Sequence, residues 1–280
     1  MHPTPAWRLI AIPLFVLSLW ALPSSAAAAG PGNTTDGARA DRTERSGSTG
    51  TGYDISYPQC GGPFPRDPAF GIVGVNGGIV FSPNPCLGAG NGPSELAWAG
   101  IGAQLYVNTG NPGPEFSSHW PLGQTMPRAC RVDDPDSIEC AYDYGWNAAE
   151  DSYRTAVEAY VSLGWAARDA TRTPMSNRWW LDVETTNSWR EHKERNIAAL
   201  QGAVAYLKSV DAGEIGFYST GYQWGQITGG TQAFSEHAAW VAGATTLRGA
   251  KANCAGAGFT GGRIEMTQYF AKGFDADYRC

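Results

Sequence analysis

The stretch Trp179–Glu184 (WWLDVE) joins a run of apolar side chains to two carboxylates. Such a run predicts a buried strand, in which alternate side chains point to the same face. Asp182 and Glu184 are therefore expected on one face, roughly 6–7 Å apart along the strand. That separation suits two acids that act on one small substrate, one protonated and the other ionised. A strand end with two solvated acids is the alternative interpretation.

Seven further segments predict strands, and helical periodicity separates several of them. The predicted strands are 52–56, 70–75, 104–109, 179–184, 214–219, 239–243, 263–269 and 274–278, with the clearest helices at 146–165 and 190–210. Strands that alternate with helices predict a parallel sheet, and eight short strands indicate an α/β fold closed into a TIM-type barrel. The connections between the last three strands have little helical pattern. We therefore expect an incomplete outer ring of helices.

Polar side chains collect at the carboxyl ends of the predicted strands, where barrel enzymes place their sites. The set comprises Asp54, Ser56, Asn76, Asn108, Asp182, Glu184, Ser219, Gln268 and Asp275. On the last strand Asp275 and Asp277 are alternatives, because its register is not determined by the pattern.

The first 29 residues have the pattern of a secretory signal peptide. Arg8 precedes the apolar segment Leu9–Leu22, and the small residues Ala26–Ala29 offer a cleavage site. Residues 30–50 are rich in Gly, Ser, Thr, Arg and Asp, which predicts a flexible linker. The folded barrel domain is expected at 51–280, in a secreted, extracellular protein without a membrane anchor. An uncleaved anchor is the alternative.

The six cysteines all follow the signal segment, at Cys60, Cys86, Cys130, Cys140, Cys254 and Cys280. An even number in an exported chain favours disulfides over a metal site or a thiol nucleophile. Proximity along the chain favours Cys60–Cys86, Cys130–Cys140 and Cys254–Cys280. Free buried cysteines are the alternative.

The charge pattern excludes several partners. The formal net charge is −6 and no basic run occurs, which argues against nucleic acid as a partner. The histidines lack ligand spacing and no serine has a G-x-S-x-G context, so we expect no metal, no cofactor and no serine nucleophile. The chain is expected to act as a monomer.

Several motifs, in this order along the chain, resemble the glycoside hydrolase family 25 lysozymes, N-acetylmuramidases that cut bacterial cell walls. They are Gly52–Ser56 with Gln59, Leu181–Glu184, Ile215–Tyr218 with Trp224, Trp240–Ala242, and Thr267–Tyr269 followed by Phe274 and Asp275. The resemblance implies a barrel of eight strands and five helices, a (β/α)5(β)3-like arrangement.

The resemblance also implies roles for four acids. Glu184 would be the general acid, and Asp182 would stabilise the substrate acetamido group or the positive charge at the anomeric carbon. Asp54 and Asp275 would support them. A general acid needs a raised pKa, which three nearby carboxylates can provide by repulsion.

Five further residues are candidates for substrate binding. Tyr218 and Trp240 are interpreted either as core or as platforms for sugar rings, because aromatic rings serve both purposes. Gln268 is expected in the pocket, since a buried amide needs hydrogen-bond partners. Tyr106 and Asn108 complete the set.

The chain departs from the family pattern at Asn76–Gly78, at Tyr106–Asn108, at Thr267 and in the long loop 111–144. These departures concern the walls of the expected pocket, whereas the four acids are present, so they bear on the substrate rather than on the chemistry. A β-linked N-acetylated glycan, namely peptidoglycan, is expected. A hydrolase of another polysaccharide and a non-catalytic glycan-binding barrel are the alternatives, and the sequence leaves an inverting or a retaining outcome open.

Overall fold

The computed structural model describes residues 50–165 and 173–280. The predicted signal peptide at 1–29 and all but the last residue of the predicted linker at 30–50 lie outside the described residues. The domain limits therefore stay a prediction.

Eight strands form a closed barrel in chain order. They are β1 Gly52–Ile55, β2 Gly71–Gly74, β3 Gln104–Asn108, β4 Trp179–Asp182, β5 Ile215–Ser219, β6 Ala238–Ala244, β7 Ile264–Ala271 and β8 Phe274–Arg279. Each predicted strand is present, and its ends differ from the prediction by at most two residues. The predicted TIM-type barrel is confirmed.

The last strand corrects the prediction of a parallel sheet. Strands β1 to β7 pair in parallel, but β8 is antiparallel to both of its neighbours, β7 and β1. Only Lys272 and Gly273 separate β7 from β8, and both have positive φ, 54° and 85°. A two-residue turn of this kind can only reverse the chain, so β8 returns as the arm of a hairpin.

Within residues 50–165 and 173–280, five α-helices lie around the barrel: α1 Glu95–Ala99, α2 Ile138–Ser162, α3 Lys193–Ser209, α4 Gly221–Thr228 and α5 Leu247–Asn253. No helix separates β7 from β8, and only the 3-10 turn Tyr57–Gln59 follows β1, so the helix ring is incomplete as predicted. The prediction missed α5, which lies between β6 and β7.

The start of α2 is eight residues earlier than the predicted residue 146. Ser137 caps it, because its Oγ accepts a hydrogen bond from the Cys140 backbone N–H at 3.2 Å. Asp143 and Asn147 are interior residues of this helix. Val161 is 61% exposed near its end.

Alternation along β4 separates the outer core from the barrel interior. Trp179 and Leu181 belong to the cluster that packs between the strands and the helices, whereas Trp180 packs inside the barrel with Trp240 and Met266. Asp182 follows Trp180 by two residues and therefore also faces the interior. The apolar layer inside the barrel thus forms a floor below the carboxyl ends of the strands.

The three predicted disulfides, Cys60–Cys86, Cys130–Cys140 and Cys254–Cys280, are present. The described residues include no free cysteine. Among the helices at 50–165 and 173–280, none is long and apolar enough to cross a membrane.

Candidate active site

A cavity of about 380 Å³ opens at the carboxyl ends of the parallel strands. All nine predicted catalytic and substrate-binding residues line it: Asp54, Tyr106, Asn108, Asp182, Glu184, Tyr218, Trp240, Gln268 and Asp275. We call it the active-site cavity. The strands bring together side chains that lie far apart in the sequence because their carboxyl ends meet at one end of a barrel.

Asp182 is the most deeply buried of the four predicted acids, with 3% of its surface exposed. Its Oδ2 accepts a hydrogen bond from Asn108 Nδ2 at 2.5 Å, and Asn76 in turn hydrogen-bonds the Asn108 backbone at both N–H and C=O. Burial raises the pKa of Asp182 well above its usual range, and the charges on Glu184 and Asp54 add to this shift.

The second carboxylate oxygen of Asp182, Oδ1, is buried and has no hydrogen-bond partner among the described residues. A buried acceptor without a partner is costly, and such groups are concentrated at functional sites. This oxygen is suited to accept a hydrogen bond from a ligand in the cavity.

Glu184 lies just beyond the end of β4 and is half-buried at the rim of the cavity. Gln223, from α4, donates to Glu184 Oε1 through its Nε2 at 3.2 Å. Gln223 is itself fixed, since its Oε1 accepts from the Thr185 backbone N–H at 2.6 Å. The indole N–H of Trp189 donates to the Glu184 carbonyl at 2.8 Å. These contacts orient the carboxyl group while leaving it accessible.

Asp54 is held by a chain of hydrogen bonds that crosses the barrel. Tyr218 Oη donates to Gln268 Oε1 at 2.8 Å, and Gln268 Nε2 donates to Asp54 Oδ2 at 3.0 Å. Burial raises the pKa of Asp54 to about 7, and the charge on Asp275 contributes. The amide group of Gln268 thus makes two hydrogen bonds in the cavity, as expected for a pocket residue.

The register of β8 separates Asp275 from Asp277. Asp275 pairs with Asp54 on β1 and lies at the rim of the cavity, where its residue is exposed. Desolvation of its carboxyl group by the neighbouring protein raises its pKa. Asp277 pairs with Gly52, deeper in the barrel, and is fully buried. Neither Asp277 carboxyl oxygen has a hydrogen-bond partner among the described residues.

Asp277 adds an acidic group below the cavity that the sequence had left as an alternative to Asp275. Burial raises its pKa well above the usual range, and the neighbouring charge on Asp54 contributes. Two buried carboxyls that lie together cannot both ionise without a large cost. The two groups therefore resist being ionised together.

Three aromatic side chains form the remaining wall. The Tyr218 and Trp240 rings are 4.5 Å apart, and Tyr106 meets Trp240 edge to face at 6.2 Å. Trp240 is only 1% exposed, so it is chiefly core and forms the bottom of the cavity. Tyr106 and Tyr218 are partly exposed, and burial raises the pKa of each well above 10. Both therefore present neutral hydroxyl groups.

Sequence reasoning missed two contributors to this arrangement, Trp189 and Gln223. Gln223 reaches Glu184 from a distant segment, and Trp189 reaches it from the loop that follows β4. The described residues contain no cluster of three or more His, Cys, Asp or Glu arranged to hold a metal ion.

Comparison with known proteins gives partial matches in sequence. A family model described as Lysozyme-like protein 1 matches residues 166–252, which include Asp182 and Glu184 but neither Asp54 nor Asp275. The probable GH family 25 lysozyme 4 of Dictyostelium discoideum is 38% identical over 63 residues. That alignment covers 22% of this chain and 29% of the relative, so the chain matches less than a third of the relative's length.

Solved structures match over a larger part of the chain. A family GH25 lysozyme from Aspergillus fumigatus has 16% identity and a TM-score of 0.50, over 82% of this chain and 93% of that one. A muramidase from Trichobolus zukalii has 17% identity and a TM-score of 0.49 over the same shares. The first of these confirms the barrel fold. The chain thus resembles the glycoside hydrolase family 25 lysozymes in part of its sequence and in its fold.

Proposed function

We propose that the protein is a secreted glycoside hydrolase that cleaves a β-linked N-acetylated glycan, with peptidoglycan as its substrate. The main support is that four carboxyl groups, those of Asp54, Asp182, Glu184 and Asp275, surround one open cavity. The lysozyme-like family model and the lysozyme relative support a glycosidase in particular. The three disulfides are consistent with an oxidising, extracellular location.

Glu184 is the proposed general acid. It lies at the rim, where a glycosidic oxygen can reach it, and Gln223 holds its carboxyl group in place. Glu184 gives its proton to the glycosidic oxygen as the bond to the anomeric carbon breaks. A water molecule then adds to that carbon and gives one proton to a carboxylate of the cavity, which completes the hydrolysis, and Glu184 regains its proton before the next turnover.

Asp182 is proposed to act on the sugar ring whose anomeric carbon reacts. Its Oδ1 has no protein partner among the described residues and can accept the acetamido N–H. A fixed carboxylate at this position also stabilises positive charge that develops at the anomeric carbon. Asn108 fixes the group by binding its other oxygen, so little rearrangement is needed when the substrate arrives.

The other groups of the cavity are proposed to support these two acids. Asp54 and Asp275 keep the potential in the cavity negative, which favours the cationic transition state. Gln268 and Tyr218 fix Asp54, and the Tyr218 ring is the accessible part of the aromatic wall. Asn108 and Tyr106 supply polar atoms for sugar hydroxyl groups.

Replacement of Glu184 tests the proposal. Glu184→Gln is expected to lower the release of reducing ends from purified cell wall by roughly 10²- to 10⁴-fold, the usual contribution of a general acid. The melting temperature should not change, because the half-buried amide keeps the shape of the acid. Glu191→Gln, on the same loop but outside the active-site cavity, is the matched control.

Equal release by wild type and Glu184→Gln would contradict the assignment of the acid. Wild-type protein that binds insoluble cell wall without releasing sugar would instead identify a glycan-binding barrel. A panel of other polysaccharides, assayed in the same way, distinguishes a hydrolase of a different glycan.

A further inference from the structure

A second cavity, of about 300 Å³, lies beside the active-site cavity. We call it the side cavity. Its walls come from three loops: the loop after β2 with Ile79 and Phe81, the β3–α2 loop (residues 109–137) with Phe116 and His119, and the loop after β4 with Ser188. The β3–α2 loop falls within the segment 111–144 that departs from the lysozyme pattern.

The two cavities adjoin each other along these loops. Gly78 lines the active-site cavity and the next residue, Ile79, lines the side cavity. In the same way, Asn108 lines the first and Thr109 the second, and Asn187 lines both. The side cavity is therefore the next space along these loops for a linear polymer bound at Asp182 and Glu184.

The lining of the side cavity suits a neutral ligand. None of the described residues that line it is Asp, Glu, Lys or Arg. Side-chain hydroxyl and amide groups are supplied by Thr109, Ser117 and Asn187, and an aromatic face by Phe116, which is 79% exposed. An apolar ring face beside uncharged hydrogen-bonding groups matches a sugar, whose flat face carries C–H groups and whose edge carries hydroxyl groups.

A neighbouring cavity has a different character. It shares Phe116 with the side cavity but is also lined by Glu115, Arg190 and Glu191. Charged side chains of both signs suit a charged ligand, and this contrast restricts the neutral sugar to the side cavity. On one bound polymer, a neutral sugar would thus lie in the side cavity and a charged group in the neighbouring cavity.

The walls of the side cavity are fixed before a ligand binds. The Phe81 and His119 rings stack at 4.2 Å with planes 6° apart, and Phe81 meets Tyr144 of α2 at 5.4 Å. The Asn111 backbone N–H donates to the Ser188 carbonyl at 2.7 Å, which joins two of the loops. The disulfide Cys130–Cys140 ties the β3–α2 loop to α2. A preorganised wall lowers the entropy lost on binding.

We propose that the side cavity binds a further neutral sugar ring of the same glycan chain, so that the protein selects long chains over short ones. This proposal rests on the proposed function, in which the active-site cavity holds a glycan. The loops that depart from the lysozyme pattern thereby set the length of chain that is recognised.

Binding to chains of different length tests the proposal. Isothermal titration calorimetry of Glu184→Gln with β-linked N-acetylglucosamine oligomers of two and six units separates binding from turnover. Adding Phe116→Ala is expected to weaken binding of the six-unit oligomer about ten-fold, the size of one lost aromatic contact, and to leave the two-unit oligomer unaffected. Adding Met126→Ala, 72% exposed on the same loop but outside the side cavity, is the control.

His119→Ala provides a second variant, because His119 supports the Phe81 ring from an exposed position. Like Phe116→Ala, it should weaken binding of the six-unit oligomer. No binding of the six-unit oligomer, or equal loss for both lengths with Phe116→Ala, would overturn the proposal.

Failure of the proposed function gives a different result. Wild-type protein that releases no reducing ends, while binding of the six-unit oligomer depends on Phe116, would reject the hydrolase and support the side cavity. Release of sugar by wild-type protein, with an affinity that does not depend on Phe116, would support the hydrolase and reject sugar binding in the side cavity.

Discussion

The deep and the rim carboxyls of the active-site cavity differ in their surroundings. Asp182 and Asp277 have 3% and 0% of their surface exposed and lie against the apolar floor of the barrel. Glu184 and Asp275 lie at the rim, in contact with solvent. The pKa values of the deep pair are raised first by burial, so ionising these two acids costs more than ionising an acid in solvent. The rim acids are the ones that a bound polymer can contact directly.

The largest difference is expected between Asp182→Asn and Asp275→Asn. Asp182→Asn should lower kcat by roughly 100-fold or more, because an amide in this water-poor position cannot carry the negative charge that stabilises a developing cation. Asp275→Asn should lower kcat by less than about ten-fold, since solvent screens a rim charge. Initial rates on purified cell wall, at saturating substrate, measure both. Equal losses would show that depth does not determine the contribution of an acid.

The second prediction concerns the pH dependence of stability. Asp54 has an ordinary pKa of 3.8 when unfolded and about 7 when folded, so between these values the native state binds more protons. The free energy of unfolding contributed by Asp54 is therefore fully present below about pH 4 and is lost as the pH rises through about 7. In Asp54→Asn the free energy of unfolding should no longer fall over this pH range. Urea denaturation from pH 4 to pH 9 measures the free energy of unfolding of both proteins.

Glu158→Gln, on the exposed face of α2, is the control for Asp54→Asn. The variant and the wild type should differ most above pH 7. Parallel curves of stability against pH for wild type and Asp54→Asn would contradict the raised pKa.

The smallest effect is expected for an acid outside the site. Glu95 is fully buried in α1, its Oε2 accepts from Asn84 Nδ2 at 2.7 Å, and burial raises its pKa from 4.5 to about 7. This shift is smaller than that of Asp54. Glu95→Gln should raise the free energy of unfolding above pH 7 by at most about 3 kcal/mol, at about 1.4 kcal/mol for each pKa unit. Activity on cell wall should not change.

The result for Glu95→Gln sharpens the comparison because it separates burial from function. A loss of activity with unchanged stability would mean that α1 influences the cavity. Chemical denaturation at pH 5 and pH 8, beside the rate assay, distinguishes the two outcomes.

Much of the fold was predictable because each strand has a local signal. Apolar runs bounded by polar residues located all eight strands, and their polar ends located six of the nine candidate residues that line the active-site cavity. The start of α2 was missed because Ile138 is 42% exposed and the buried positions that follow it, Cys140, Ala141 and Asp143, carry small or polar side chains that give no apolar helical stripe. The direction of β8 was missed because the strand pattern alone was weighed, and not the turn at Lys272 and Gly273.

The supporting residues of the site were harder to predict because they act at a distance. Gln223 reaches Glu184 from α4, and Asn76 supports Asn108 from the end of β2. Asp277 shares the face of Asp275, two residues away, so only the register with β1 shows which of them lies in the cavity. Tertiary pairing, rather than local periodicity, determines such positions.

The antiparallel β8 has a consequence for the order of assembly. This final hairpin arm closes the barrel against β1 and brings Asp275 and Asp277 to Asp54. A chain synthesised from its amino end carries the β1 acid long before the acids of β8. The cavity gains its full set of acids only when the last strand docks, so a chain cut before β8 would lack both partners of Asp54.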